Sequence, residues 1–128
     1  MAEEKAKFRF ERYQITKSLI EILNISDIGK DIEIEIKKTN AEHNEENKFK
    51  LMFDVNIKDV NKSLNIDINA EGFFEFDKEL NDSEKSSFFN INAPAILFPY
   101  IRAYITTLTS LSGITPIILP TINLVNRK

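Results

Sequence analysis

Few side chains in this 128-residue chain could carry out a reaction. The one histidine, His43, stands in its most polar stretch, Thr39–Asn47 (TNAEHNEEN), with no second histidine to join it. An isolated loop histidine of this kind is expected to be solvated rather than a ligand or general base. Cysteine is absent, which removes disulfides, thiolate metal sites and thiol nucleophiles. The three glycines, Gly29, Gly72 and Gly113, lie too far apart for a phosphate-cradling loop, so no nucleotide cofactor is expected. Carboxylates are plentiful, but Glu33 and Glu35 alternate along a strand-like segment, as on a solvated face rather than in a catalytic pair. Arg102 is the unusual ion. It sits at the centre of the longest apolar run, where a charge needs a partner, and a carboxylate on this chain or a neighbouring copy is expected. Catalytic residues, metal and cofactor are therefore all expected to be absent, and surfaces remain as the carriers of function.

The elements that must present those surfaces read as strands followed by helices. Phe8–Ile15 alternates with one shift of phase and reads as a first strand. Leu19–Ile28 is rich in isoleucine and fits either a short helix or an irregular crossover. Asp31–Lys38 (DIEIEIKK) alternates strictly, and Thr39–Asn47 reads as a polar hairpin loop. Lys48–Asp59 points Phe49, Leu51, Phe53, Val55 and Ile57 to one side. Val60–Ser63 is a turn, and Leu64–Asp77 is a fourth strand in which Gly72 marks a bend or a close neighbour. Asn81-Asp82-Ser83-Glu84 resembles a helix cap and opens a short helix ending at Phe89. Four strands before the helices predict an α+β fold. It is a single domain of 1–128, with a four-stranded antiparallel sheet and a long apolar helix on one face.

That helix belongs to the stretch Asn90–Thr121, which holds all four prolines. Leu97, Ile101, Tyr104, Ile105, Leu108 and Leu111 follow helical spacing, while Phe98, Tyr100 and Ala103 lie off that stripe. Asn92 is the expected N-cap, with Pro94 in the first turn. Gly113 and Pro116 mark the stop. Pro99 either kinks the helix or begins it. A helix apolar on more than one face must be covered on more than one face. One sheet cannot do this, so a second copy is expected against Leu97, Tyr100, Ile101, Arg102, Tyr104 and Leu108. The formal net charge of −3 argues against a nucleic-acid partner. The charged start MAEEKAKFRF is not a secretory signal. Arg102 and Pro99 argue against stable membrane insertion of the run from 93 to 111. The cytoplasm is the expected compartment.

The segments Asn92-Ala93-Pro94-Ala95-Ile96-Leu97-Phe98-Pro99-Tyr100-Ile101-Arg102, Ile105-Thr106-Thr107-Leu108 and Pro116–Asn123 carry a resemblance. They are similar to the ILFPY-R core, hydroxyl-bearing helix and Pro-rich turn of the SecB protein-export chaperones. Upstream only the pattern matches. Past Asn123 the family continues into a second helix, which this sequence, ending at Lys128, is expected to lack. The resemblance implies pairing through sheets, helices sandwiched in a tetramer, and long grooves that bind unfolded or precursor polypeptides without ATP.

Two surfaces are candidates. The first is apolar: the crossover residues Leu19, Ile22, Leu23 and Ile25, and the tail residues Ile118, Leu119, Ile122 and Leu124. They either close the core or form a polypeptide-binding groove, and the resemblance implies the groove. The second is acidic: Glu33, Glu35, Asp67 and Glu71, with Phe73 among them and Lys37, Lys50 and Lys58 diluting the charge. A solvated outer face is the plainer reading. The resemblance implies a dock for the translocation motor ATPase. The expected function is that of an ATP-independent chaperone. A module dedicated to a single partner, of the antitoxin-binding type, is the alternative.

Overall fold

The computed structural model describes residues 7–43 and 46–120. Four strands, β1 (Phe8–Ile22), β2 (Ile32–His43), β3 (Lys48–Asp59) and β4 (Leu64–Phe76), form one sheet in the order β1-β4-β3-β2. At one end of the β1/β4 pair the Asp77 N–H donates to the Lys7 carbonyl. At the other the Leu23 N–H donates to the Ser63 carbonyl, so the two strands run antiparallel. Then follow α1 (Asp82–Ser87), a π-helical turn (Phe88–Asn92) and α2 (Ala93–Leu111). The α+β architecture is thus the one expected from strands first and helices after.

Three boundaries differ from the sequence reading. β1 runs on to Ile22, so Leu19–Ile22 is strand and only Ile25–Asp27 forms a helical turn, of the 3-10 kind. β-Branched residues suit a pleated, half-buried surface better than a helix, and Leu19, Ile20 and Ile22 are all half-buried. β2 extends to His43 through the segment read as loop. It is an edge strand, and polar residues on both faces of an edge leave no alternation to detect. Asn92, in turn, is not an N-cap. Its backbone is already helical and its side chain makes no capping bond. The cap lies at Asn81, whose side chain accepts from the Glu84 N–H while Glu84 accepts from the Asn81 N–H, a reciprocal capping box.

By contact density the chain divides into two compact units. One is Met1–Arg12, Asn40–Leu51 and Gly72–Lys128, as far as these are described; the other is Tyr13–Thr39 and Met52–Glu71. In the first, the π turn lets the consecutive Phe88 and Phe89 both point inward, at 1% and 8% exposure. Phe89 stacks on Phe49 with centroids 4.0 Å apart, and Phe88 stacks on Phe8 at 3.7 Å. Leu97, Ile101 and Ile105 of α2 are fully buried, each worth ~1.5–3 kcal/mol of apolar burial. Pro99 lies inside α2, resolving the two options: the helix neither starts nor stops there. Its missing N–H falls on the exposed side, where the freed carbonyl can meet water. α2 ends at Leu111, and just beyond its C-cap Ser112 stands Gly113, whose φ of +85° suits glycine and turns the chain back.

In the second unit, Phe53, Val55, Ile57, Leu64, Ile66, Ile68 and Ala70 alternate inward along β3 and β4 and are all buried. The segment leaving β1 crosses beside the β3–β4 turn and is fastened to it. The Val60 N–H donates to the Asp31 carbonyl at 3.1 Å, and Asn61 Nδ2 donates to the Asp27 carbonyl at 2.8 Å.

Candidate binding surfaces

Two large apolar side chains of the crossover stand out in water: Leu23 is 76% exposed and Ile25 60%. Leu19 and Ile22 are half-buried. A third exposed side chain, Val60, belongs to the β3–β4 turn and was not among the expected residues. Its signal was present as a lone β-branched residue in a polar turn. The strand-and-turn pattern accounts for its neighbours and says nothing of where the crossover will pass.

What holds crossover and turn together is Asp59, a buried carboxylate that the sequence reading also missed. Its Oδ2 accepts from the Gly29 N–H at 2.8 Å. Its Oδ1 accepts from the Ser63 and Leu64 N–H groups at 2.7 and 2.9 Å. Burial pushes the carboxyl pKa up, but the backbone donors of Gly29, Leu64 and Ser63 outweigh it and hold the group below the usual aspartate value. The crossover also lies tight against the turn at Gly29. A Cβ there would come within 2.7 Å of Val60 Cγ2.

In the first unit, the tail after Gly113 runs back along α2 and is bound to it through main-chain groups. Arg102 Nε donates to the Leu119 carbonyl at 3.0 Å, and Thr106 Oγ1 donates to the Ile117 carbonyl at 2.9 Å. The Ile117 N–H donates to Thr109 Oγ1, also at 2.9 Å. The partner expected for Arg102 was a carboxylate on this chain or a neighbouring copy; among the described residues of this chain its Nε meets a peptide carbonyl instead, and the side chain is only half-buried. Side chains alternate along this tail. Ile117 and Leu119 are buried, whereas Ile118 is 71% exposed. Leu119 is therefore core rather than binding surface, because a side chain at 0% exposure offers no atoms to a ligand. Ile122 and Leu124 lie outside the described residues.

The expected oligomer face divides similarly. Leu97 and Ile101 are fully buried within the single chain, so they cannot face a second copy. Tyr100 is exposed, while Arg102, Tyr104 and Leu108 are half-buried. With the exposed Ala103, Thr107 and Leu111, these make an outward stripe on α2 whose only formal charge is Arg102.

The outer sheet surface is not an acidic field. In the second unit a shallow cleft of about 410 Å³ is lined by Lys17, Lys37 and Lys58 together with Glu35, Asp54 and Asp67, three charges of each sign. Lys17 Nζ lies 2.7 Å from Asp67, a bond that raises the lysine pKa. Lys37 reaches Glu35 at 3.8 Å. Glu33 is exposed and Glu71 half-buried. In the first unit, the Arg12 guanidinium lies 3.9 Å above the Phe73 ring, so that ring too is covered by a cation. Alternation showed which residues face outward on β2 and β4. It could not show that β1 would bring its own basic residues beside them.

Among the described residues no three His, Cys, Asp or Glu side chains come together as a metal site, and no helix is long and apolar enough to cross a membrane. His43 is exposed at the end of β2.

Comparison with known proteins agrees with this arrangement. The family model of the preprotein translocase subunit SecB matches residues 9–126. An uncharacterized protein of Methanocaldococcus jannaschii, MJ0357, is 35% identical over 130 residues, covering 95% of this chain and 83% of that protein. Among solved structures, the Mycobacterium tuberculosis SecB-like chaperone Rv1957, in complex with a ChAD peptide from the HigA1 antitoxin, superposes with a TM-score of 0.76. The identity there is 13%, and the match covers 91% of this chain and 88% of that one. The fold is therefore shared with a solved SecB-like chaperone, and, with the family model matching residues 9–126, the chain belongs to the SecB family.

Proposed function

We propose that this protein is an ATP-independent chaperone that holds unfolded or pre-export polypeptides by apolar contact. The observation that carries the reading is the exposure of Leu23 and Ile25, at 76% and 60%, on a crossover that hydrogen bonds hold in place. Large aliphatic side chains kept in water by an ordered backbone are what a surface for apolar segments requires. The first unit adds Ile118 at 71%. Several weak contacts of this kind, summed over an oligomer, give useful affinity without any one of them being strong. The outward stripe of α2 is the surface proposed for that oligomer, and the cytoplasm is the proposed compartment. Docking of a translocation motor ATPase through an acidic sheet face draws no support from the balanced charges around Lys17, Glu35 and Asp67.

The test is suppression of aggregation of a chemically denatured client diluted into buffer with the purified protein. Suppression at equimolar chaperone is expected; unchanged aggregation counts against the reading. A second reading, service to one dedicated partner, is favoured by a specific observation: the M. tuberculosis chaperone of the same fold was solved with an antitoxin peptide. Affinity purification separates the two. Many unfolded clients support a general holdase, and a single stoichiometric protein supports the dedicated module.

A further inference from the structure

The exposed crossover side chains are useful only if the backbone beneath them stays put, and a crossover of this length has little regular structure of its own. Between Ile22 and Ile32 the only regular piece is the single turn Ile25–Asp27. Leu23 and Ile25 do not anchor it, since both project into solvent. Its anchorage comes from the β3–β4 turn, by way of polar groups. Of these, Asp59 alone accepts from both segments at once: one carboxylate oxygen takes the Gly29 N–H of the crossover, and the other takes Ser63 and Leu64 after the turn. The other polar ties cluster around it. Ser63 Oγ donates to Asp27 at 3.3 Å, and the Leu23 N–H donates to the Ser63 carbonyl at 2.8 Å. Asp59 is 3% exposed, so its bonds work with little competition from water, and three donors to one anion are stronger than three neutral bonds.

We propose that Asp59 is a positioning residue for polypeptide binding: its carboxylate fixes the crossover against the β3–β4 turn so that Leu23, Ile25 and Val60 are offered together as one apolar anchor for an unfolded chain. The inference rests on the chaperone reading and deepens it. It adds Val60, 56% exposed, to the binding surface, and it gives a buried acid a role in affinity rather than in catalysis. The occupant is an extended segment with aliphatic or aromatic side chains, because the three side chains offered are themselves aliphatic and carry no donor or acceptor.

The experiment uses the full chain and a reduced, carboxymethylated, permanently unfolded polypeptide rich in Leu and Phe as probe. Asp59→Asn keeps the shape but turns a triple acceptor into a group with its own donors. It should weaken probe binding about tenfold, the scale of losing a charge-assisted hydrogen bond. The amides of Gly29, Ser63 and Leu64 should exchange faster. In a background of Leu23→Ser, Ile25→Ser and Val60→Ser, the same substitution should cost no further affinity, because the surface it positions is gone. A merely structural role for Asp59 would lower affinity equally in both backgrounds and would overturn the proposal. So would wild-type affinity in D59N once the three amides exchange faster. Should D59N fail to fold, Gly29→Ala pushes the crossover off Val60 by a separate route and must weaken binding to a similar degree. Unchanged affinity in G29A overturns the proposal. In the unaltered protein, bound probe should slow exchange of the three amides, and unaltered exchange on binding also overturns it. If the unaltered protein does not bind the probe at all, the chaperone reading itself fails, and that result is distinct from every one above.

Discussion

The δ-methyl groups of Leu97 fill the place where a side chain on Gly72 would begin: a Cβ built on Gly72 would lie 3.0 and 3.2 Å from them. Leu97 is fully buried, so it has little room to retreat. Gly72→Val should therefore destabilise the protein by ~1–3 kcal/mol through overpacking. Leu97→Ala alone should cost ~2–5 kcal/mol through the cavity it leaves. The double variant should lose less than the sum, because the valine occupies part of that cavity. Urea midpoints of the three variants check this; strict additivity would mean that the two positions do not meet.

Asp59 should give the protein a pH-dependent stability on the acid side. Its carboxyl is held below the usual aspartate value in the folded state, so the unfolded chain takes up the proton first as pH falls. The stabilisation is thus fully present above the ordinary carboxylate range and is lost as pH drops through the folded value. Glu75 and Glu84 act in the same direction, held down chiefly by hydrogen bonds from Arg9 and Lys7 respectively. Denaturation midpoints measured from pH 7 to pH 3 should fall for the natural protein and fall less steeply for D59N. Equal slopes would remove Asp59 from the account.

Exposed apolar side chains that serve a client rather than the fold should be replaceable without loss of stability. Ile118→Ser and Leu23→Ser should each move the unfolding free energy by no more than about 0.5 kcal/mol, as for most surface changes. Both should still reduce protection of an aggregating client. A thermal melt run beside the light-scattering assay separates the two effects. If stability drops along with protection, these side chains close the core instead.

The outward stripe of α2 makes a separate prediction. Ala103→Glu and Leu111→Glu place charges at exposed positions, so the chain should fold normally. If this stripe joins copies, native mass spectrometry should show the natural protein as an oligomer and the doubly charged variant as a smaller species. Identical masses for the two would place the contact elsewhere.

How much of this was legible beforehand depended on how regular the local pattern was. β3 and β4 were readable nearly to the residue, because every second position from Phe49 to Ile57 and, Gly72 apart, from Leu64 to Phe76 is apolar. The end of α2 was marked by Gly113, but its start stood open between Asn92 and Pro99. The end of β1 was not, since Leu19, Ile20 and Ile22 satisfy a helix or a strand equally until a neighbouring strand claims their peptide groups. Asn92 looked like a cap because nothing local announces a π turn, which exists to bring Phe88 and Phe89 inward together. Of the candidate surfaces, the composition was readable but the exposure was not. Leu119 and Ile118 are adjacent and similarly apolar, and the hydrogen bonds that tie the tail to Arg102, Thr106 and Thr109 hold it with Ile118 facing water.

Those last bonds have a consequence for how such a surface could change. Arg102 and Thr106 grip peptide carbonyls, and a carbonyl is the same whatever residue bears it. The path of the tail is therefore indifferent to the identity of its outward side chain. Residue 118 works as an interchangeable tip on a fixed handle: a bulkier, smaller or aromatic substitute would retune what the protein grasps while leaving the mounting untouched.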